Sequence, residues 1–165
     1  MTGLTRLGFH HSSTTHEGWS STTLRSSVLE VARAAEASGF DSLWVPDHAH
    51  QNPSGGGPSM PMLEACSFLA ALAVATTTVR LGAPVSPVAF RHPALLAKTV
   101  ATLDVLSGGR AVLGIGAAWD AAEHAAYGID FPPLAERYQR LEETLLIGPP
   151  CSARSPRPSP GAGTS

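Results

Sequence analysis

Apolar positions along the chain change their period several times, and each change marks an element. Residues 5–11, "TRLGFHH", read as a short strand ending on His10 and His11. After a Ser/Thr/Gly stretch, Leu24, Val28, Val31, Ala32 and Ala35 recur at helical spacing, and Gly39 predicts the stop. "DSLWVPD" (41–47) predicts a second strand, followed by a Gly/Pro/Asn-rich loop over 50–60. The apolar run 61–76 predicts a buried helix and "TVRLGAPV" (78–85) a third strand. A helix is expected over 92–110, with Pro93 near its first turn and Gly108-Gly109 at its stop, then a fourth strand over 110–116. A short polar helix near 119–127, the turn "YGIDFPP" and an amphipathic helix over 134–147 complete the pattern.

The order is four β–α units, and their strands are apolar throughout rather than alternating. Such strands are covered on both faces, which predicts a parallel sheet with crossover helices. Two α/β architectures satisfy this: a doubly wound sheet, or part of a (β/α)8 TIM barrel. In both, chemistry belongs at the C-terminal strand ends. The residues at those ends are His10-His11, Asp47-His48, "GAPVSP" and "GIGAAW". Beyond Ile147 the pattern fails. Residues 148–165 hold five of the fourteen prolines and no apolar periodicity, so a disordered tail is expected after a 1–147 domain.

Composition narrows the picture. The chain has 165 residues, is 43% apolar and carries a formal net charge of −2, as expected of a soluble domain. Neither a basic stripe nor a run of about 20 apolar residues is present, so neither a nucleic-acid nor a membrane partner is predicted. Without a signal-peptide core or a cysteine framework, a cytoplasmic setting is the expectation.

Asp47-His48 is the leading chemical candidate, because a carboxylate beside an imidazole can hold one tautomer and serve acid–base transfer near neutral pH. The same residues also suit a cap and a loop position. His10, His11, His48 and His50 raise the alternative of a barrel metallohydrolase. Adjacent strand residues face opposite ways, so at most one of His10 and His11 can reach the mouth, and no metal is assigned. "GIGAAW" (114–119) is a glycine turn with Trp119 where a dinucleotide fingerprint needs a small residue. Pro84 and Pro87 predict a bulge or break where the third strand leaves the sheet. Glu123-His124 and Arg137-Tyr138 read as solvated or capping helix residues, and Glu136, Arg140 and Glu143 as helix-face ion pairs.

Taken together, "AAEASGFDSLWVPDH", the 61–85 segment and "DVLSGGR" followed by "G.GA.W...E...YG..FPP..ER" resemble the luciferase-like monooxygenase family, closest to its branch using the deazaflavin coenzyme F420. The resemblance spans residues 4–147. It implies the first four units of a (β/α)8 barrel with a deazaflavin or FMN ring at the mouth. It implies His48 as the proton-transferring residue, with Asp47, His48, Ala83, Pro84, Val85, Gly114, Gly116 and Ala117 around the ring. A cis peptide is expected near Ala83–Pro84. The activity implied is hydride transfer between F420 and a small organic substrate, or oxygen activation by reduced FMN. Some sugar-phosphate dehydrogenases of the branch carry a catalytic Glu just after the glycine turn; Trp119 stands near that place. Four strands of eight leave open edges, which predicts pairing with a second copy or a second half-barrel. The alternative function is a non-catalytic half-barrel or interaction module completed by a partner chain.

Overall fold

The computed structural model of the chain describes residues 6–11, 20–53 and 56–151. Its elements are β1 (Gly8–His10), α1 (Ser21–Ala37), β2 (Ser42–Trp44), α2 (Ala65–Ala75), β3 (Arg80–Gly82), β4 (Ser86–Pro87), α3 (Pro93–Leu106), β5 (Ala111–Val112), β6 (Ile115–Gly116), α4 (Ala121–Ala126) and α5 (Leu134–Cys151). The main sheet is parallel with strand order β1-β2-β3-β5, and β4 pairs with β6 beyond it. Strands are therefore added in chain order on one side, with no reversal. A doubly wound sheet needs a reversal; a right-handed crossover repeated in one direction curls towards a barrel. The fold is the opening arc of a TIM barrel.

Local chemistry accounts for most element ends. The Ser20 hydroxyl accepts from Thr23 N, and the Thr23 hydroxyl accepts from Ser20 N, so two of the amides at the start of α1 are satisfied. Gly39 leaves α1 at φ +83° and Gly108 leaves α3 at φ +69°, a region that other residues enter reluctantly. The expected start of the second helix at 61 moves to Ala65. Glu64 is its N-cap, accepting from Cys66 N at 3.1 Å and Ser67 N at 2.7 Å, and an acid at that end also suits the helix dipole. At the other end, α5 runs to Cys151 rather than stopping at Ile147. The remainder of the expected tail lies outside the described residues.

The pleat sorts the strands into two faces. Phe9, Leu43, Leu81 and Ala111 stand in register and pack towards the helices, against Val28, Ala32, Leu69, Leu72 and Leu103. Fully burying each large aliphatic side chain stabilises by about 1.5–3 kcal/mol. On the inner face, Trp44 lies between two glycines. A Cβ on Gly8 would approach its Nε1 to 2.8 Å, and one on Gly82 its Cζ3 to 2.9 Å. The indole thus occupies the room that side chains at Gly8 and Gly82 would take on the inner face.

Arg110 closes the end of the sheet opposite the mouth. Its guanidinium is buried and donates to the carbonyls of Ser107, Val79, Ala73 and Thr76 and to the Thr76 hydroxyl, at 2.7–3.0 Å. All five donors of the fork are used, and three of the acceptors belong to the last turn and C-cap of α2. This explains the arginine of "SGGR". Nearby, Glu36 at the end of α1 holds the turn before β3, accepting from the amides of Thr77, Thr78 and Val79 and the Thr78 hydroxyl.

Burial alone would raise the Glu36 carboxyl. The donors of Thr78, Thr77 and Val79 outweigh it and bring the group from an ordinary 4.5 to about 2. A group depressed in the folded state stabilises fully above its unfolded value and loses that contribution as pH falls through the folded one. Glu36→Gln should therefore unfold in less urea at pH 7 and show a flatter acid limb between about pH 4.5 and 2 than the parent. Urea titrations at stepped pH measure both.

Candidate functional site

At the C-terminal end of β2 the backbone turns outward through Pro46, and the neighbouring acid and imidazole part company. Asp47 is buried and faces Arg91, whose Nη1 and Nη2 meet its two oxygens at 2.6 and 2.9 Å. Arg91 Nη2 also donates to Glu64 at 2.6 Å. The fork thus ties the β2 end to the cap of α2 and to the segment before α3. Burial opposes ionisation of Glu64, but the hydroxyl and amide of Ser67, Arg91 and the Cys66 amide overcome it and hold the carboxyl at about 2. In the same place burial pushes the Cys66 thiol up to about 11, so it is no nucleophile at neutral pH.

His48 takes a different carboxylate. Its Nδ1 lies 3.0 Å from Oε2 of Glu123 on α4. The other oxygen of Glu123 accepts the amide of Ala49 in a short hydrogen bond and that of His50 at 3.2 Å. The expectation that Asp47 orients His48 is thus corrected: the strand alternation sends Asp47 towards Arg91, and the imidazole meets an acid 75 residues away in sequence. Glu123 and His124, read as solvated or capping residues, are each only 1% exposed. Trp119 faces the His48 ring edge-on at 5.7 Å, and the Tyr127 hydroxyl donates to Ala49 O at 2.8 Å. Residues 119–127, α4 with its two flanks, therefore grip the β2 loop through three side chains.

The third strand breaks as its prolines predict. β3 ends at Gly82, the bulge of Ala83, Pro84 and Val85 follows, and β4 resumes pairing through Ser86 N to Gly114 O at 2.9 Å. The cis peptide is Pro84–Val85, not Ala83–Pro84. Proline's own preference acts only on the bond before its ring, so it does not account for this position. Gly114 and Gly116 make that crossing feasible. A Cβ on Gly114 would fall on the Ala83 carbonyl oxygen, and one on Gly116 would lie 2.5 Å from Val85 Cγ2.

Arg137 also departs from its expectation. Its guanidinium stacks 4.2 Å over Phe131 and donates to the carbonyls of Ala117, Ala118 and Pro132. Ala118 sits at φ +64°, so the guanidinium holds a turn that alanine enters reluctantly. Glu136–Arg140, by contrast, is the expected helix-face ion pair at 2.6 Å.

Two cavities meet at His48. One, of about 160 Å³, is lined by His10, Asp47, His48, Met62, Pro84 and Val85. The other, of about 300 Å³, adds Trp119, Glu123, His124 and Tyr138 to the same His48, Pro84 and Val85. Val85 and Trp119 are exposed there, at 47% and 66%. The structure thus brings Asp47, His48, Pro84 and Val85 together. Ala83 is buried, and Gly114 and Gly116 lie behind the bulge rather than on its open side. Ala117 lines the larger cavity. Among the described residues, no cluster of His, Cys, Asp or Glu could hold a metal ion, and no helix is long and apolar enough to cross a membrane.

A family profile described as luciferase-like monooxygenase matches residues 6–149. The F420-dependent glucose-6-phosphate dehydrogenase of Kineococcus radiotolerans is 38% identical over 123 residues, covering 73% of this chain and 35% of that protein. Among solved structures, an F420-dependent secondary alcohol dehydrogenase superposes with a TM-score of 0.69 and 26% identity, over 87% of this chain and 41% of that one. The monooxygenase RslO1 from Streptomyces bottropensis gives 0.70 and 28%, over 87% and 42%. The chain spans about a third of the length of the curated relatives it matches.

The packing of the bulge on the fourth strand carries a direct test. Gly114→Ala should destabilise the chain by about 1–3 kcal/mol, because the added methyl meets backbone rather than a movable side chain. The urea midpoint, compared with that of the parent, reads it.

Proposed function

The chain belongs to the luciferase-like monooxygenase family, and from that premise we propose that it forms the ring-facing part of an F420-dependent oxidoreductase acting on a small organic substrate. The observation that carries the reading is the shared wall of the two cavities, a partly exposed imidazole beside the exposed Val85 of the bulge. An apolar floor of Pro84 and Val85 with an imidazole at its edge fits a flat heteroaromatic ring that is hydrophobic on its face and polar at its rim. The identity to F420-dependent dehydrogenases over 73% of the chain supports the deazaflavin over FMN. FMN remains the alternative cofactor, since the fold is shared with an FMN-bound monooxygenase.

In this reading Pro84 and Val85 form the floor, and Ala83, Gly114 and Gly116 support it from behind. Ala117 lies at the ring's edge. The ring, when bound, supplies the hydride acceptor or donor, or oxygen activation in the case of reduced FMN. His48 moves the accompanying proton at Nε2, the ring nitrogen that Glu123 leaves open. Asp47 acts through Arg91 by fixing the loop that carries His48. The open strand edges are closed by a second copy or by a second half-barrel, which makes the working unit larger than this chain.

Fluorescence titration of the purified chain with F420 and with FMN, alongside its mass in solution, tests the reading. Saturable binding of F420 by an assembly larger than one chain is expected, with the binding lost in Val85→Arg, where a charge stands on the floor. A preference for FMN would move the assignment to the monooxygenase branch. No saturable change with either cofactor would overturn it.

A further inference from the structure

The contacts of Glu123 specify more than the position of His48. One oxygen, Oε1, accepts two backbone amides, of Ala49 and His50, and the other faces His48 Nδ1 at 3.0 Å. Two N–H donors on one oxygen are the surroundings of an ionised carboxylate, which can only accept. The proton in the Glu123–His48 bond therefore belongs to Nδ1. In the neutral ring Nε2 is then bare, on a residue that lines both cavities. We infer that Glu123 is a positioning residue that sets the tautomer of His48, so that the neutral ring presents a proton acceptor and not a donor. This rests on the reading of His48 as the proton-transferring group, and it gives that transfer a direction: the neutral ring takes a proton from the substrate.

The geometry makes the reverse state accessible by one substitution. In Glu123→Gln the amide oxygen must stay on the Ala49 and His50 amides, because an NH2 placed there would oppose two N–H groups. The new NH2 then faces Nδ1 and can only donate. Nδ1 becomes the acceptor, and the ring proton moves to Nε2. A side chain that served only to fill space would leave the tautomer where it was.

Nitrogen-15 NMR of the histidine rings, recorded at rising pH until the signals no longer move, reads this directly, with His48→Gln used to assign the signal. In the parent chain, Nδ1–H should exceed Nε2–H by about tenfold or more, and in Glu123→Gln the ratio should invert by a similar factor. A parent that is mainly Nε2–H would overturn the inference, as would a folded Glu123→Gln variant with the parent's tautomer. If the variant does not fold, the parent's ratio decides alone. The measurement needs no cofactor, so its failure is distinct from failure of the F420 titration, which bears on the function and not on the tautomer.

Discussion

The mouth of this barrel arc depends on burying one carboxylate. Glu123 is withdrawn from water, and an ionised group in that position is tolerated only when its oxygens are fully partnered. The partners available are the amides of the β2 loop and the ring of His48. Satisfying the charge therefore folds residues 48–50 around α4, and it does so only in one arrangement. The Tyr127 hydroxyl on the Ala49 carbonyl and the Trp119 edge against the imidazole lock the same loop from either side. A carboxylate chosen merely for solubility would have left the loop free.

A second charge network works in parallel and does not touch the first. Asp47, Arg91 and Glu64 join the β2 end, the cap of α2 and the entry to α3. Asp47 and His48 are neighbours in sequence, yet each serves a different network. Adjacent residues at a strand end point to opposite sides, so one pair of residues can secure the frame and present the chemistry. The result is an imidazole whose backbone and one nitrogen are immobilised while the other nitrogen stays available.

The motif "G.GA.W...E...YG..FPP..ER" acquires a physical explanation from these contacts. Trp119, Glu123 and Tyr127 recur every fourth residue and reach the β2 loop together, and Asp120 caps the helix that carries the last two. Phe131 and Arg137 form the stack that holds the carbonyls of Ala117 and Ala118. In "DVLSGGR", likewise, the glycines leave α3 and Arg110 fills its five donors across α2 and β3. Much of the family's spacing thus serves to hold backbone around the mouth and at the opposite end of the sheet.

Element order, the parallel sheet and the strand-end location of the polar residues were legible in the chain, because apolar periodicity and glycine or capping chemistry act over a few residues. Gly39 and Gly108 ended their helices, and Pro84 and Pro87 marked a broken strand. By periodicity alone the choice of barrel over doubly wound sheet was not, since it rests on which side each new strand joins; the family resemblance supplied it, and the strand order agrees. Nor was the partner of His48 legible. Glu123 has the look of a solvated helix residue, and only the closing of the arc brings α4 over the β2 loop and removes water from between them. Local sequence specifies what each segment can become; which charge meets which ring is decided by contacts whose two halves carry no signal of each other.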